Sequence, residues 1–136
     1  MKKTIPSIQK YMTTSPHSIG SDQSLEKAEK LMKEFGIRHL PVLADGKLCG
    51  VISDRDVKFL KGFKDVDPRT ALVSNLSSEA VYTVSPSALL DEVCETMAEH
   101  KYGSAVVVDN DKLVGIFTWV DGMRAMSELL HTRLAG

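Results

Sequence analysis

The spacing of apolar residues changes several times along the chain, and each change marks an element. Leu25, Ala28, Leu31, Met32 and Phe35 recur at three- and four-residue intervals, as on one face of a helix, and Gly36 follows as its stop. Two β-rich runs come next, Leu40-Pro41-Val42-Leu43 and Leu48 to Ile52, around Ala44-Asp45-Gly46-Lys47. Asp-Gly between such runs predicts a hairpin turn. A short helix is expected from about Asp56. The same order then returns. Leu89, Leu90, Val93, Cys94 and Met97 form a second helical face, with Ser85 read as its cap and Pro86 as its first helical residue. Ala105–Val108 and Leu113–Phe117 flank Asp109-Asn110-Asp111, and a longer helix is expected from Asp121 towards Leu134. Short extended stretches ending at Ile19 and Val84 precede the two helical faces.

A shift of 65 residues lays one half on the other without a gap, pairing Ile19–Asp56 with Val84–Asp121. Identities fall at Leu25/Leu90, Met32/Met97, Glu34/Glu99, Val42/Val107, Lys47/Lys112, Leu48/Leu113, Gly50/Gly115 and Asp56/Asp121. Each copy reads β-α-β-β-α. The expected fold class is α+β (mixed α/β), two tandem repeats packed with pseudo-twofold symmetry to share a core that one copy could not build alone. In sequence order, residues 1–62 hold the first repeat with its lead-in. Residues 63–75 form a connector broken by Pro68, and residues 76–136 hold the second repeat.

Charge and cysteine content narrow the function. Seventeen Lys and Arg against eighteen Asp and Glu leave a net charge of −1, which removes the bulk electrostatic case for a nucleic-acid partner. No apolar run approaches the ~20 residues of a membrane span. The Met-Lys-Lys-Thr start is not followed by an apolar segment, so a cytoplasmic location is expected. Cys49 and Cys94 have no metal-ligand spacing and read as small hydrophobes among apolar neighbours. His17, His39, His100 and His131 show no ligand spacing either, so no metal site is expected. No acid, base and nucleophile set can be assembled, so the chain is not read as an enzyme.

Gly50-Val51-Ile52-Ser53-Asp54-Arg55-Asp56 and Gly115-Ile116-Phe117-Thr118-Trp119-Val120-Asp121 resemble the G-h-h-[S/T]-x-x-D signature of cystathionine-β-synthase (CBS) domains. Gly36-Ile37-Arg38-His39-Leu40-Pro41-Val42 is similar to the run that precedes it in that family. Two such copies make a CBS pair, or Bateman module, covering about Ile8 to Met126. The resemblance implies an adenosine ligand in clefts between repeats, with Asp56 and Asp121 on the ribose diol and Ser53 and Thr118 on ribose or phosphate. The chemistry of those residue types is consistent with such contacts. A carboxylate can accept both diol hydrogens, and a helix N-terminus favours a nearby anion. Asp56 and Asp121 are equally suited to capping their helices.

The resemblance also places Arg38 and His39 on phosphate. The second copy has Gly103 and Ser104 instead, so one competent cleft is expected, around Ser53 and Asp56. For the base it points to His17, Ile37 and Val51 and to their repeat mates Tyr82, Tyr102 and Ile116, with the tyrosines stacking on adenine. It implies a regulatory module needing no cofactor, with AMP, ADP or ATP as ligand, with or without Mg²⁺. It would act as a homodimer, a disc of two pairs, or through a protein partner in trans. A ligand-free interaction module and a binder of S-adenosylmethionine or NAD are the alternatives. Trp119, inside the second motif, reads as interface or packing.

Overall fold

The computed structural model describes residues 4–75 and 81–133. Its elements alternate as the two-copy pattern requires. In chain order they are β1 (Thr13–Thr14), β2 (Ile19–Gly20), α1 (Leu25–Phe35), β3 (His39–Ala44), β4 (Lys47–Ser53) and α2 (Asp54–Lys61). There follow β5 (Thr83–Val84), α3 (Leu90–His100), β6 (Ser104–Asp109), β7 (Lys112–Thr118) and α4 (Trp119–Arg133). Leu134 lies outside the described residues. Single 3₁₀ turns stand at Ile8–Lys10 and Val73–Asn75.

Local chemistry explains most of these boundaries. Ser24 caps α1 by accepting from the Lys27 amide at 3.1 Å, and Gly36 closes it in the left-handed region at φ 63°. Asp45 and Gly46, and likewise Asn110 and Asp111, all take positive φ, which is the turn that matches the twist of a tight hairpin. Both hairpins slip register at the same place, between Val42 and Leu43 and between Val107 and Val108.

Packing divides the chain differently from sequence order. One compact unit is Pro16–Val81; the other joins the segment up to Ser15 to the chain from Tyr82 onward. The first is an inserted unit, the second a split one. The inserted unit holds a three-stranded sheet, β2-β3-β4, whose core is Ile19, Leu25, Ala28, Met32, Leu40, Val42, Ile52, Val57 and Val73. The split unit holds a four-stranded sheet, β1-β7-β6-β5, over Ile8, Leu90, Val93, Met97, Ala105, Val107, Phe117 and Ala125.

The lead-in of each repeat is therefore built into the other copy. Ile8 donates its amide to Ala88 O at 2.7 Å, and Leu90 donates to Pro6 O at 2.9 Å. Sixty-five residues on, Val73 donates to Gln23 O and Leu25 to Ala71 O, both at 2.9 Å. Ile8 and Val73 are both fully buried, each in the core it reaches. The boundaries at 62 and 75 run through this exchange: Ala71 and Val73, assigned to the connector, belong to the inserted unit.

Two expectations need correcting. The second helix begins at Leu90, with Leu89 at the cap position, and not at Pro86. Ser85 and Pro86 instead open a turn closed by the Ala88 amide on Ser85 O, because Leu89 bridges to Ser7 before the helix can start. Cys49 and Cys94 are exposed rather than core hydrophobes. Strand alternation turns Cys49 away from the face that buries Ile52, and Cys94 is rotated off the Val93–Met97 face of α3.

Candidate functional site

The two signature motifs lie where a strand runs directly into a helix, β4 into α2 and β7 into α4. In the inserted unit Ser53 and Asp56 form a reciprocal cap. Ser53 Oγ accepts from the Asp56 amide at 3.1 Å, and Asp56 Oδ2 accepts from the Ser53 amide at 2.9 Å. His39 lies directly across the ladder from Ser53, and the Asp54 amide donates to Arg38 O at 2.8 Å. Arg38, His39, Ser53 and Asp56 thus share one end of one hairpin. Arg38 is exposed; the other three are half-buried.

Burial holds the His39 imidazole below its ordinary value of 6.5. Asp56 pulls it back up, the Arg38 guanidinium pushes it further down, and Asp54 raises it. His39 therefore feels the charge of two carboxylates and of a permanent cation.

The second motif is held differently. Asp121 is only 7% exposed, and its two oxygens take three donors. Thr118 gives its amide at 2.9 Å and its hydroxyl at 3.3 Å to Oδ2, while Thr13 of β1 gives its hydroxyl to Oδ1 at 3.3 Å. Gly103 accepts from the Trp119 amide at 3.3 Å, as Arg38 does from Asp54, but brings no cation. Ser104 faces Thr118 across the ladder, and Ile116, 6% exposed, faces Thr13.

The residues assigned to the base form ring contacts of their own. His17 stacks on Phe35 with centroids 3.7 Å apart and planes 11° apart. Tyr82 and Tyr102 meet at 5.4 Å, and His100 stacks against Tyr102 at 5.1 Å. Two rings this close leave no slot between them for a purine, so a base would have to stack on an outer ring face or move a ring. Ile37 and Val51 are half-buried at the end of α1 and on β4.

Thr13, Phe35 and His100 were not read as site residues from the sequence. Phe35 and His100 are repeat mates, as are His17 and Tyr82, so the shift marks ring positions in both copies, but the contacts differ: His17 meets Phe35, whereas Tyr82 and His100 each meet Tyr102. Extending the 65-residue shift backwards matches Thr13 with Ser78, another hydroxyl, which lies outside the described residues. No helix among the described residues is long and apolar enough to cross a membrane, and no cluster of metal-ligating side chains occurs among them.

Comparison with known proteins agrees with the two-copy reading. A family model described as the CBS domain matches residues 8–60 and 73–128. The hypoxic response protein 1 of Mycobacterium tuberculosis is 33% identical over 112 residues, covering 81% of this chain and 78% of that protein. A Vibrio cholerae structure assigned to acetoin utilization (AcuB) superposes with a TM-score of 0.85 at 30% identity, covering 98% of each chain. The structure of CBSX2 in complex with AMP gives a TM-score of 0.79 at 27% identity, over 91% of this chain and 98% of that one.

Proposed function

Since the chain belongs to the CBS-domain family, we propose that it is a regulatory module that binds an adenine nucleotide at the β4–α2 junction and carries no catalysis of its own. The observation that carries this reading is the Ser53–Asp56 junction with Arg38 and His39 beside it. A carboxylate has about four acceptor sites, and among the described residues the cap uses one of those on Asp56, so capping and ribose binding are compatible. Arg38 supplies a forked cation for phosphate, and His39 supplies a proton site next to it. That chemistry favours AMP, ADP or ATP over the sulfonium of S-adenosylmethionine. CBSX2, a relative of the same fold, has been crystallised with AMP, which supports the same ligand class here.

The Asp121 junction is the weaker site in this reading. It has no cation beside it, and its carboxylate is already occupied by Thr13 and Thr118. Mutual contact of Tyr82 with Tyr102 and of His17 with Phe35 favours the second reading, an interaction module whose aromatic positions are filled from within. In both readings the output passes to a second copy or to a partner in trans.

A thermal-shift panel of AMP, ADP, ATP, NAD and S-adenosylmethionine, each with and without Mg²⁺, separates them. A ligand at 100 times its dissociation constant adds about 2.7 kcal/mol, several degrees for a chain of this size. A selective rise with the phosphorylated adenosines is expected. A flat panel on nucleotide-free protein would transfer the function to the interaction module.

A further inference from the structure

Strand β1 is short, yet it touches the second signature motif at three places. Its two residues are both exposed, and it lies at the rim of its sheet, paired only with β7. Thr13 stands opposite Ile116 and Thr14 opposite Gly115, and the Ser15 amide donates to Val114 O at 3.2 Å. Just before the strand, Met12 is seated over Gly115. A Cβ on Gly115 would lie 2.5 Å from the Met12 sulfur, so the glycine is what makes room for it. From this position the Thr13 hydroxyl reaches Asp121 Oδ1.

That hydroxyl is the same chemical group as the hydroxyl of a ribose. The Thr118 amide secures Asp121 Oδ2 at 2.9 Å and ties the carboxylate to the start of α4 whatever happens at Oδ1. Among the described residues Oδ1 has one donor, Thr13, and its 3.3 Å lies beyond the usual range for a bond between two oxygens. A vicinal diol would bring two hydroxyl donors to the same carboxylate. Ser15 adds a bias of its own. Its φ of 47° is in the left-handed region, which a residue with a Cβ rarely adopts, so the docked strand ends in a strained residue.

We propose that β1 is an autoinhibitory strap over the second motif. Closed, it holds the Thr13 hydroxyl where a ligand's ribose hydroxyl would sit on Asp121. Open, it yields that carboxylate to the vicinal diol of a nucleoside. This rests on the reading above, in which the strand–helix junctions take adenosine ligands. Gly103 and Ser104 stand here in place of Arg38 and His39, so the opened site suits a nucleoside without phosphate. The two junctions then differ in kind. The Asp56 junction takes a phosphorylated ligand directly, whereas the Asp121 junction binds only by lifting β1. A closed strap lowers the apparent affinity by the fraction of molecules that are open.

The experiment titrates the full chain with adenosine by calorimetry in an Asp56→Ala background, and follows amide hydrogen exchange of the Ser15 amide. Adding Thr13→Val should raise adenosine affinity and the Ser15 exchange rate by about tenfold or more, because a bond to a charged acceptor is lost from the closed state only. Adding Thr13→Ser, which keeps the hydroxyl, should leave both near the background values. Gly115→Ala unseats Met12 with Thr13 intact and should also speed Ser15 exchange. If Asp56→Ala does not fold, stoichiometry in the wild-type background serves instead, one adenosine becoming two on Thr13→Val. An affinity lowered by Thr13→Val makes Thr13 a ligand contact, and an unchanged affinity makes it a fastener alone; either overturns the strap. If wild type binds AMP but the Thr13→Val, Asp56→Ala chain binds no adenosine, the strap fails and the Asp56 site stands. If no form of the chain binds AMP or adenosine, both fail.

Discussion

Thr13 and Asp121, 108 residues apart in the chain, are joined by a hydrogen bond of 3.3 Å from the threonine hydroxyl to Oδ1. It fastens β1, a strand of two residues, to the start of α4. Replacing Thr13 by Val removes the donor and keeps the shape, so a loss of about 1.5–3 kcal/mol is expected, the value of a bond to a charged acceptor. Asp121→Ala removes the acceptor for Thr13 and for both Thr118 donors and should cost more. Urea denaturation of the two variants checks the order. A Thr13→Val midpoint equal to wild type would mean that β1 is held by its ladder alone.

The two signature aspartates should separate in their ligand chemistry as they do in their surroundings. Asp56→Ala is expected to lower adenine-nucleotide affinity at least tenfold in calorimetric titration. Asp121→Ala should change it by less than threefold while lowering stability. Equal losses in the two variants would refute one competent site built on Ser53, Asp56 and the Arg38–His39 pair.

His39 makes stability depend on pH in a definite direction. Its folded pKa lies below the 6.5 of the free side chain because burial penalises the imidazolium more than Asp56 and Asp54 favour it. The unfolded chain therefore binds more protons across this interval, and stability rises with pH there. Acidification should lower the melting temperature as pH falls through about 6.5, the loss being complete below the folded pKa. His39→Gln should flatten that slope. A bound phosphate would oppose the loss by favouring the charged ring, so nucleotide protection should grow towards lower pH.

Much of this was legible in the chain because the repeat doubles every signal. Gly50/Gly115 and Asp56/Asp121 fix the register of both strand–helix junctions, and Gly36 and Asp45-Gly46 act through backbone preferences that need no tertiary partner. What escaped depends on distant partners. Ser85-Pro86 has the form of a helix start, but the Leu90 amide is taken by Pro6 O from the other end of the chain. Asp121 looks like a twin of Asp56 until Thr13 arrives on it. The aromatic residues at His17, Tyr82 and Tyr102 were visible as rings, but whether a ring faces a ligand or another ring is decided by side-chain packing.

The exchange of lead-ins also sets an order of events during synthesis. The segments that complete the inserted unit, up to the Val73 turn, have all been made by residue 75, and its core can then close around Val73. Ile8 and β1 are made before the inserted unit, yet their partners Ala88, Leu90 and β7 are made only after it. Contacts of such long sequence separation form slowly. The nascent chain must therefore carry Ile8 and β1 without these partners while the whole inserted unit is made, and the split unit closes only when β7 has emerged.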